Sequence, residues 1–270
     1  MEPARARVNG AAPLLLWLGS APLLLFIGLP LAALLVVVPP GDLLGHLGSP
    51  MALRALWLTV RTTLASTALA VTLGTPLAYL LARRSFRGRD VLDTIVDLPI
   101  TIPPVVAGVA LLLAFGRRGL IGRQLELMGI HVAFTSVAVV MAQLFIASPF
   151  FVKAARAGFE AVDPRLEAAA RTLGAGGWRV FWTVTVPLAR PALLYGLVLA
   201  WARALSEFGA TMMFAGNFPG RTQTLTLAVM TALESDLETA VAVSIISLGL
   251  ALGALLGAKW LAGRWSAPLA

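Results

Sequence analysis

Six long apolar runs decide what this chain can fold into: residues 14–38, 59–82, 95–115, 132–152, 191–214 and 239–258. Each is near the roughly 20 residues that carry an α-helix through the hydrocarbon of a bilayer. There a single segment satisfies its own backbone only as a helix. The expectation is an all-α membrane protein with six transmembrane helices, forming one domain over residues 1–270. Charged residues make up 13% of the chain, against about 25% in a soluble domain. The first run follows Arg5 and Arg7, as in a signal peptide, but exceeds the roughly 7–15 residues of a secretory apolar stretch. It is read as a retained span.

A formal charge of +8 invites a nucleic-acid reading, which the placement of the charges removes. Six spans put both termini on one side. That side holds Arg5, Arg7, Arg83, Arg84, Arg87, Arg89, Lys153, Arg156, Arg165, Arg171, Arg179, Arg190, Lys259 and Arg264, 14 of the 21 lysines and arginines. The other side holds Arg54, Arg61, Arg117, Arg118, Arg123 and Arg221, and Arg203 falls inside the fifth run. The excess of basic residues marks the cytoplasmic face. The expected seat is therefore the cell (inner) membrane, with both termini cytoplasmic and the bilayer, not nucleic acid, as the partner of the charged flanks. The third loop, with Arg117, Arg118 and Arg123, runs against this orientation.

Several chemistries are excluded. With no cysteine there are no disulfides, thiolate metal sites or cysteine nucleophiles. His46 and His131 lie in separate polar segments, so no metal site is expected. An intramembrane hydrolase would need a serine beside a base, paired aspartates or a metal, and Asp97 is the one aspartate within a span. A secondary transporter would want coupling carboxylates and paired repeats; Asp97 and Glu207 are thin material and no repeat is evident. Gly216 to Thr222 has three residues between its glycines and Arg221 where a phosphate loop has lysine, so it is no nucleotide site. In the sixth run Gly249, Gly253 and Gly257 form a small-residue face, read as packing within one subunit in preference to a dimer seam.

The longest stretch outside the spans, 153–190, carries a polar helix. Asp163 followed by Pro164 reads as a cap and first helical residue, and Gly174 as the left-handed stop. Leu166, Ala170 and Leu173 share one face, while Glu167 and Arg171 form an i,i+4 pair on another. So short a helix is marginal alone, so its apolar stripe must pack. Two surfaces offer themselves: the base of its own bundle, or a groove on another protein.

Gly174, nine residues, then Val184-Thr185-Val186-Pro187 resembles the permease loop of bacterial ATP-binding-cassette importers, whose pattern is Glu-Ala-Ala, three residues, Gly, nine residues, Ile-x-Leu-Pro. In that register the glutamate position falls on Ala168, with Glu167 one place early, and Ala169 and Ala170 match the alanines. The segments Asp97 to Gly108, Arg171 to Ala175, Ser206 to Thr211 and Phe214 to Thr224 resemble the molybdate permeases of that superfamily, close relatives of sulfate and tungstate permeases. The resemblance implies a coupling helix seated in an ATPase cleft, with Asp163, Pro164, Glu167, Ala168, Ala169, Arg171, Gly174 and Pro187 in the coupling loop. It further implies a homodimer, two ATPase subunits that hold ATP and Mg while this chain holds no cofactor, and an external molybdate-binding protein.

For a translocation path or gate the residues point to Asp97, Arg203, Glu207 and Thr211. Arg203 is a costly side chain inside a span and a functional candidate for that reason, although Glu207 at i+4 would neutralise it. Asp97 precedes Pro99, Pro103 and Pro104, which predict a broken entry to the third span. Thr101, Ser148 and Ser206 add hydroxyls that more often bond their own helix. Asn217 and Arg221, in a turn expected outside, are candidates to meet the external binding protein.

Overall fold

A computed structural model describes residues 11–36, 45 and 48–265. Arg5, Arg7, His46 and the last two residues of the first run lie outside the described residues. All the regular structure among the described residues is helical. Five helical runs are long and apolar enough to cross a membrane: Leu16–Val36 within α1 (Ala11–Val36), α2 (Pro50–Arg83), Ser136–Ala161, Gly177–Leu205 and Leu237–Gly257. A bent pair of shorter helices makes up to six.

Caps, not the ends of apolar runs, set the helix lengths. The Ser49 side chain accepts from the Ala52 N–H at 3.3 Å and Pro50 fills the first helical position, so α2 starts nine residues before its run at 59. This follows the preference for an oxygen at the cap and proline just after it. The third run is two helices, α3 (Arg89–Thr101) and α4 (Pro104–Phe115), bent by 117°. Ile102 and Pro103 each precede a proline and are extended at ψ 142° and 135°, because the proline ring disfavours helical backbone before it. After a short helix α5 (Gly122–Leu127), α6 (Ser136–Ala161) continues well past residue 152. The connection expected over 153–190 is therefore largely helical, with only the region around α7 (Pro164–Thr172) leaving the bundle.

The fifth run also differs from one helix over 191–214. It starts earlier, through α8 (Gly177–Val180) and a π-helical turn at Phe181–Thr185, into α9 (Val186–Leu205). Pro187 stands two residues after that turn and has no N–H to continue the ladder. The chain then breaks at Ser206 to Phe208 and resumes as α10 (Gly209–Ala215). A further short helix, α11 (Leu225–Leu233), leads into the last span, α12 (Leu237–Trp265).

The core forms around α6. Phe151, Val152, Ala155 and Phe159 pack with Ala78 and Leu81 of α2 and Ala189 and Ala200 of α9. Ala138, Ala142 and Ile146 pack with Ala107 and Leu111 of α4 and Ala210 and Phe214 of α10. Alanine at these contacts lets backbones approach where lipid supplies no hydrophobic drive. Within α2 the Thr59, Thr62 and Thr63 hydroxyls donate to carbonyls one turn back at 2.7–2.9 Å. Thr59 Oγ1 also accepts from the Leu225 N–H at 2.8 Å, fixing the start of α11. Gly249, Gly253 and Gly257 have nothing within 4 Å of where a Cβ would stand. Packing of that face within one subunit is thus not found among the described residues. Nor does α1 bury any of its apolar window.

Candidate coupling and gating sites

α7 is held to the bundle by its one buried side chain, a carboxylate. Glu167 is 5% exposed. It accepts from Arg83 Nη2 at 3.0 Å and Thr185 Oγ1 at 2.8 Å, while Arg171 lies farther away at 3.7 Å. Arg83 also donates to the Val162 carbonyl at 2.8 Å. The end of α2, the end of α6 and the π-turn therefore converge on one residue of α7. Ala168, the register position of the family glutamate, is exposed, as is Ala169.

The ends of α7 follow from local chemistry. Asp163 Oδ1 accepts from the Arg165 N–H at 2.9 Å with Pro164 at the first position. Gly174 closes the other end at φ 86°, with its N–H donating to the Arg171 carbonyl at 2.9 Å. Nothing lies within 4 Å of a Cβ placed there; the demand for glycine is left-handed backbone alone. Pro187 is exposed beyond the π-turn.

The apolar stripe of α7 does not pack on its own bundle: Leu166 is 48% exposed and Leu173 89%. Polarity is reversed from that of an ordinary amphipathic surface helix. The carboxylate of Glu167 faces in, Arg165 and Arg171 stay exposed, and the leucines face away.

At the break after α9, Glu207 is buried at 1% exposed. Its Oε1 accepts from the Ala210 N–H at 2.7 Å, capping α10, and Oε2 lies 3.3 Å from Arg203 Nη2. The Glu207 carbonyl accepts from Thr226 Oγ1 at 2.9 Å. Arg203 sits in the last turn of α9 with its side chain 27% exposed and also reaches Ser206 Oγ at 3.3 Å. It is therefore at a helix end, not midway along a continuous span. Thr211 Oγ1, on α10, is buried without a hydrogen-bond partner among the described residues. A buried hydroxyl and a partly satisfied carboxylate stand at this backbone break, an irregularity of the kind tolerated only inside protein or beside water.

Asp97 stands apart from this cluster. Its Oδ2 accepts from Lys153 Nζ at 2.8 Å. Along the same α3–α6 seam Arg156 bonds Asp93 and, at 2.8 Å, Glu160 of its own helix, while Arg89 ties α3 to α2 by donating to the Leu81 carbonyl at 2.7 and 3.0 Å. Half-exposed pairs of this kind contribute little singly, but in a row they orient the half-helix that precedes the bend. Thr101 and Ser206 hydroxyls donate to Leu98 and Arg203 carbonyls. Ser148 borders a cavity of about 260 Å³ between α2, α3 and α6.

The turn after α10 divides the two remaining candidates. The Asn217 amide donates to Thr231 Oγ1 at 2.8 Å and so faces α11. Arg221 is exposed, beside a cleft of about 230 Å³ that includes Arg117, Glu126 and His131. Sequence reasoning missed Arg83 and Thr185, the two partners of Glu167. Among the described residues no three histidine, aspartate or glutamate side chains cluster as a metal site would need.

Residues 74–266 match the protein family described as binding-protein-dependent transport system inner membrane component. The chain is 44% identical over 213 residues to the molybdenum transport system permease protein ModB of Escherichia coli (strain K12), covering 76% of this chain and 93% of that one. It is 42% identical over 213 residues to the chloroplastic sulfate permease 2 of Chlamydomonas reinhardtii, covering 78% and 58%. A crystal structure of a bacterial ABC transporter involved in alginate import superposes with a TM-score of 0.73 at 18% identity, over 94% of this chain and 93% of that one.

Proposed function

This chain belongs to the family of binding-protein-dependent transport system inner membrane components, and from that premise we propose that it is the permease of an ATP-driven molybdate importer. One observation carries the coupling half of this: the stripe of α7 turned away from its own bundle, held there by buried Glu167. A short helix anchored by charge and offering leucines outward suits a soluble partner with an apolar cleft. The partner is an ATPase subunit, one on each copy of a homodimer, and it binds the Mg-ATP. The open faces of α1 and α12 leave room for the second copy. The basic ends of α2 and α6 beside α7 support a cytoplasmic coupling side and, with it, cytoplasmic termini.

Molybdate is a tetrahedral dianion, and it sheds water only where donors replace it. It would arrive from an external binding protein on the face that carries Arg221. The break at Ser206 to Phe208 is the proposed gate: Arg203 is neutralised by Glu207 at rest, and Thr211 offers its unpaired hydroxyl. Asp97, tied to Lys153, would act on the gate by positioning α3. Sulfate is the second reading, favoured by the likeness to a sulfate permease.

The test is uptake of labelled molybdate into proteoliposomes containing this chain, its ATPase and its binding protein. Uptake is expected to require ATP and both partners, and to be displaced by molybdate better than by sulfate. Stronger displacement by sulfate would move the substrate to the second reading. ATP-independent flux through this chain alone would overturn the importer.

A further inference from the structure

Where α2 leaves the membrane, a groove of about 750 Å³ opens between its last turns and the α8–π-turn segment. Its volume falls within the roughly 300–1,000 Å³ of small-ligand sites. Val71, Pro76 and Leu80 form one wall, with Trp178, Phe181 and Trp182 opposite. The hydroxyls of Thr72 and Thr75 are spent on Ala68 and Val71 carbonyls at 2.9 and 2.6 Å, so that wall presents carbon. Trp178 is 75% exposed and Trp182 50%, at the start of a span, where indoles favour the level of lipid headgroups.

At the mouth stand two guanidiniums. Arg84 is exposed just beyond the last residue of α2 and forms no ion pair among the described residues. Arg171 reaches Glu167 Oε2 only at 3.7 Å, while Arg83 holds Oε1 at 3.0 Å. No acidic side chain lines the groove. An apolar slot along a span, with indoles at its rim and two cations at its mouth, is complementary to a phosphodiester joined to acyl chains.

We propose that this groove binds an anionic phospholipid, with its phosphate on Arg84 and Arg171 and an acyl chain against Leu80, Phe181 and Trp182. Because Arg171 belongs to α7, the bound lipid bridges the end of a span to the coupling helix. On the orientation proposed above the groove opens to the cytoplasmic leaflet; the binding itself does not rest on that orientation.

The experiment uses the full chain alone in phosphatidylcholine bilayers doped with chain-brominated phosphatidylglycerol or chain-brominated phosphatidylcholine, read by tryptophan fluorescence. The groove signal is defined by difference from a Trp178→Phe/Trp182→Phe variant. Brominated phosphatidylglycerol is expected to quench that signal more strongly at equal mole fraction. Arg84→Gln should lower its quenching to the phosphatidylcholine level, and Arg84→Lys should restore most of it. Equal quenching by the two lipids in the native chain would overturn the proposal, as would displacement by inorganic phosphate, which would indicate a soluble anion. Absence of quenching by both would mean that protein, a second copy, fills the groove. No ATPase or molybdate is present, so failure of the importer reading leaves this result intact.

Discussion

Replacing Glu167 with alanine is expected to abolish ATP-dependent uptake while the chain remains inserted in the membrane. The substitution strands two groups at once. Arg83, whose side chain is 14% exposed and whose Nε already has no partner, loses its carboxylate. Thr185, 0% exposed, loses its acceptor. Breaking a buried, hydrogen-bonded ion pair by removing one partner costs about 3–5 kcal/mol. That cost falls on α7, whose nine residues are too few to remain helical alone. Undocking therefore replaces rigid transmission with a loose loop. Glu167→Gln keeps an acceptor for Thr185 and a neutral one for Arg83, so an intermediate loss is expected. Limited proteolysis of the 162–176 segment, measured beside uptake, separates the cases: Glu167→Ala should be cut faster and transport nothing. Wild-type uptake with unchanged cleavage would show that α7 is anchored by something else.

Gly108→Val should be equally severe for a different reason. A Cβ at Gly108 would stand 2.7 Å from Met213 Cβ, 2.8 Å from the Ala210 carbonyl oxygen and 2.9 Å from Ala210 Cα. Two of those three atoms are backbone and cannot swing aside. The half-helices α4 and α10 meet here, so the added carbons push apart the two broken segments that line the proposed gate. Overpacking of a tight core costs about 1–3 kcal/mol or more, and Gly108→Ala should already impair uptake. Gly249→Ala, at a site with open space around it, is the comparison expected to insert normally. Normal uptake and normal thermal stability in detergent for Gly108→Val would contradict the close contact of α4 with α10.

What the sequence made legible was whatever is encoded locally. Asp163, Pro164 and Gly174 bracket α7 because caps and left-handed stops are properties of single residues. Pro103 and Pro104 announced the break in the third span on the same basis. The break after Leu205 was hidden, because apolarity runs on through Ala210 to Phe214 and the cap on α10 is an internal carboxylate. The direction of α7 was hidden too. A period of 3.6 shows that Leu166, Ala170 and Leu173 share a face, but not whether that face looks toward the bundle. The deciding contact joins Glu167 to Arg83, 84 positions away. The one-residue offset from the family motif marked Glu167 as unusual; only its burial shows what it holds.

The most direct test of coupling through α7 uses the absence of native cysteine. A single cysteine replaces Leu173, which is 89% exposed in this chain, in membranes that also contain the ATPase subunit bearing cysteines along its cleft. The predicted result is a disulfide between the two subunits on oxidation, with ATP-dependent uptake halted by the cross-link and recovered on reduction. A Leu173→Cys protein that transports normally, never cross-links to the ATPase and stays fully open to a thiol reagent in the assembled complex would contradict it.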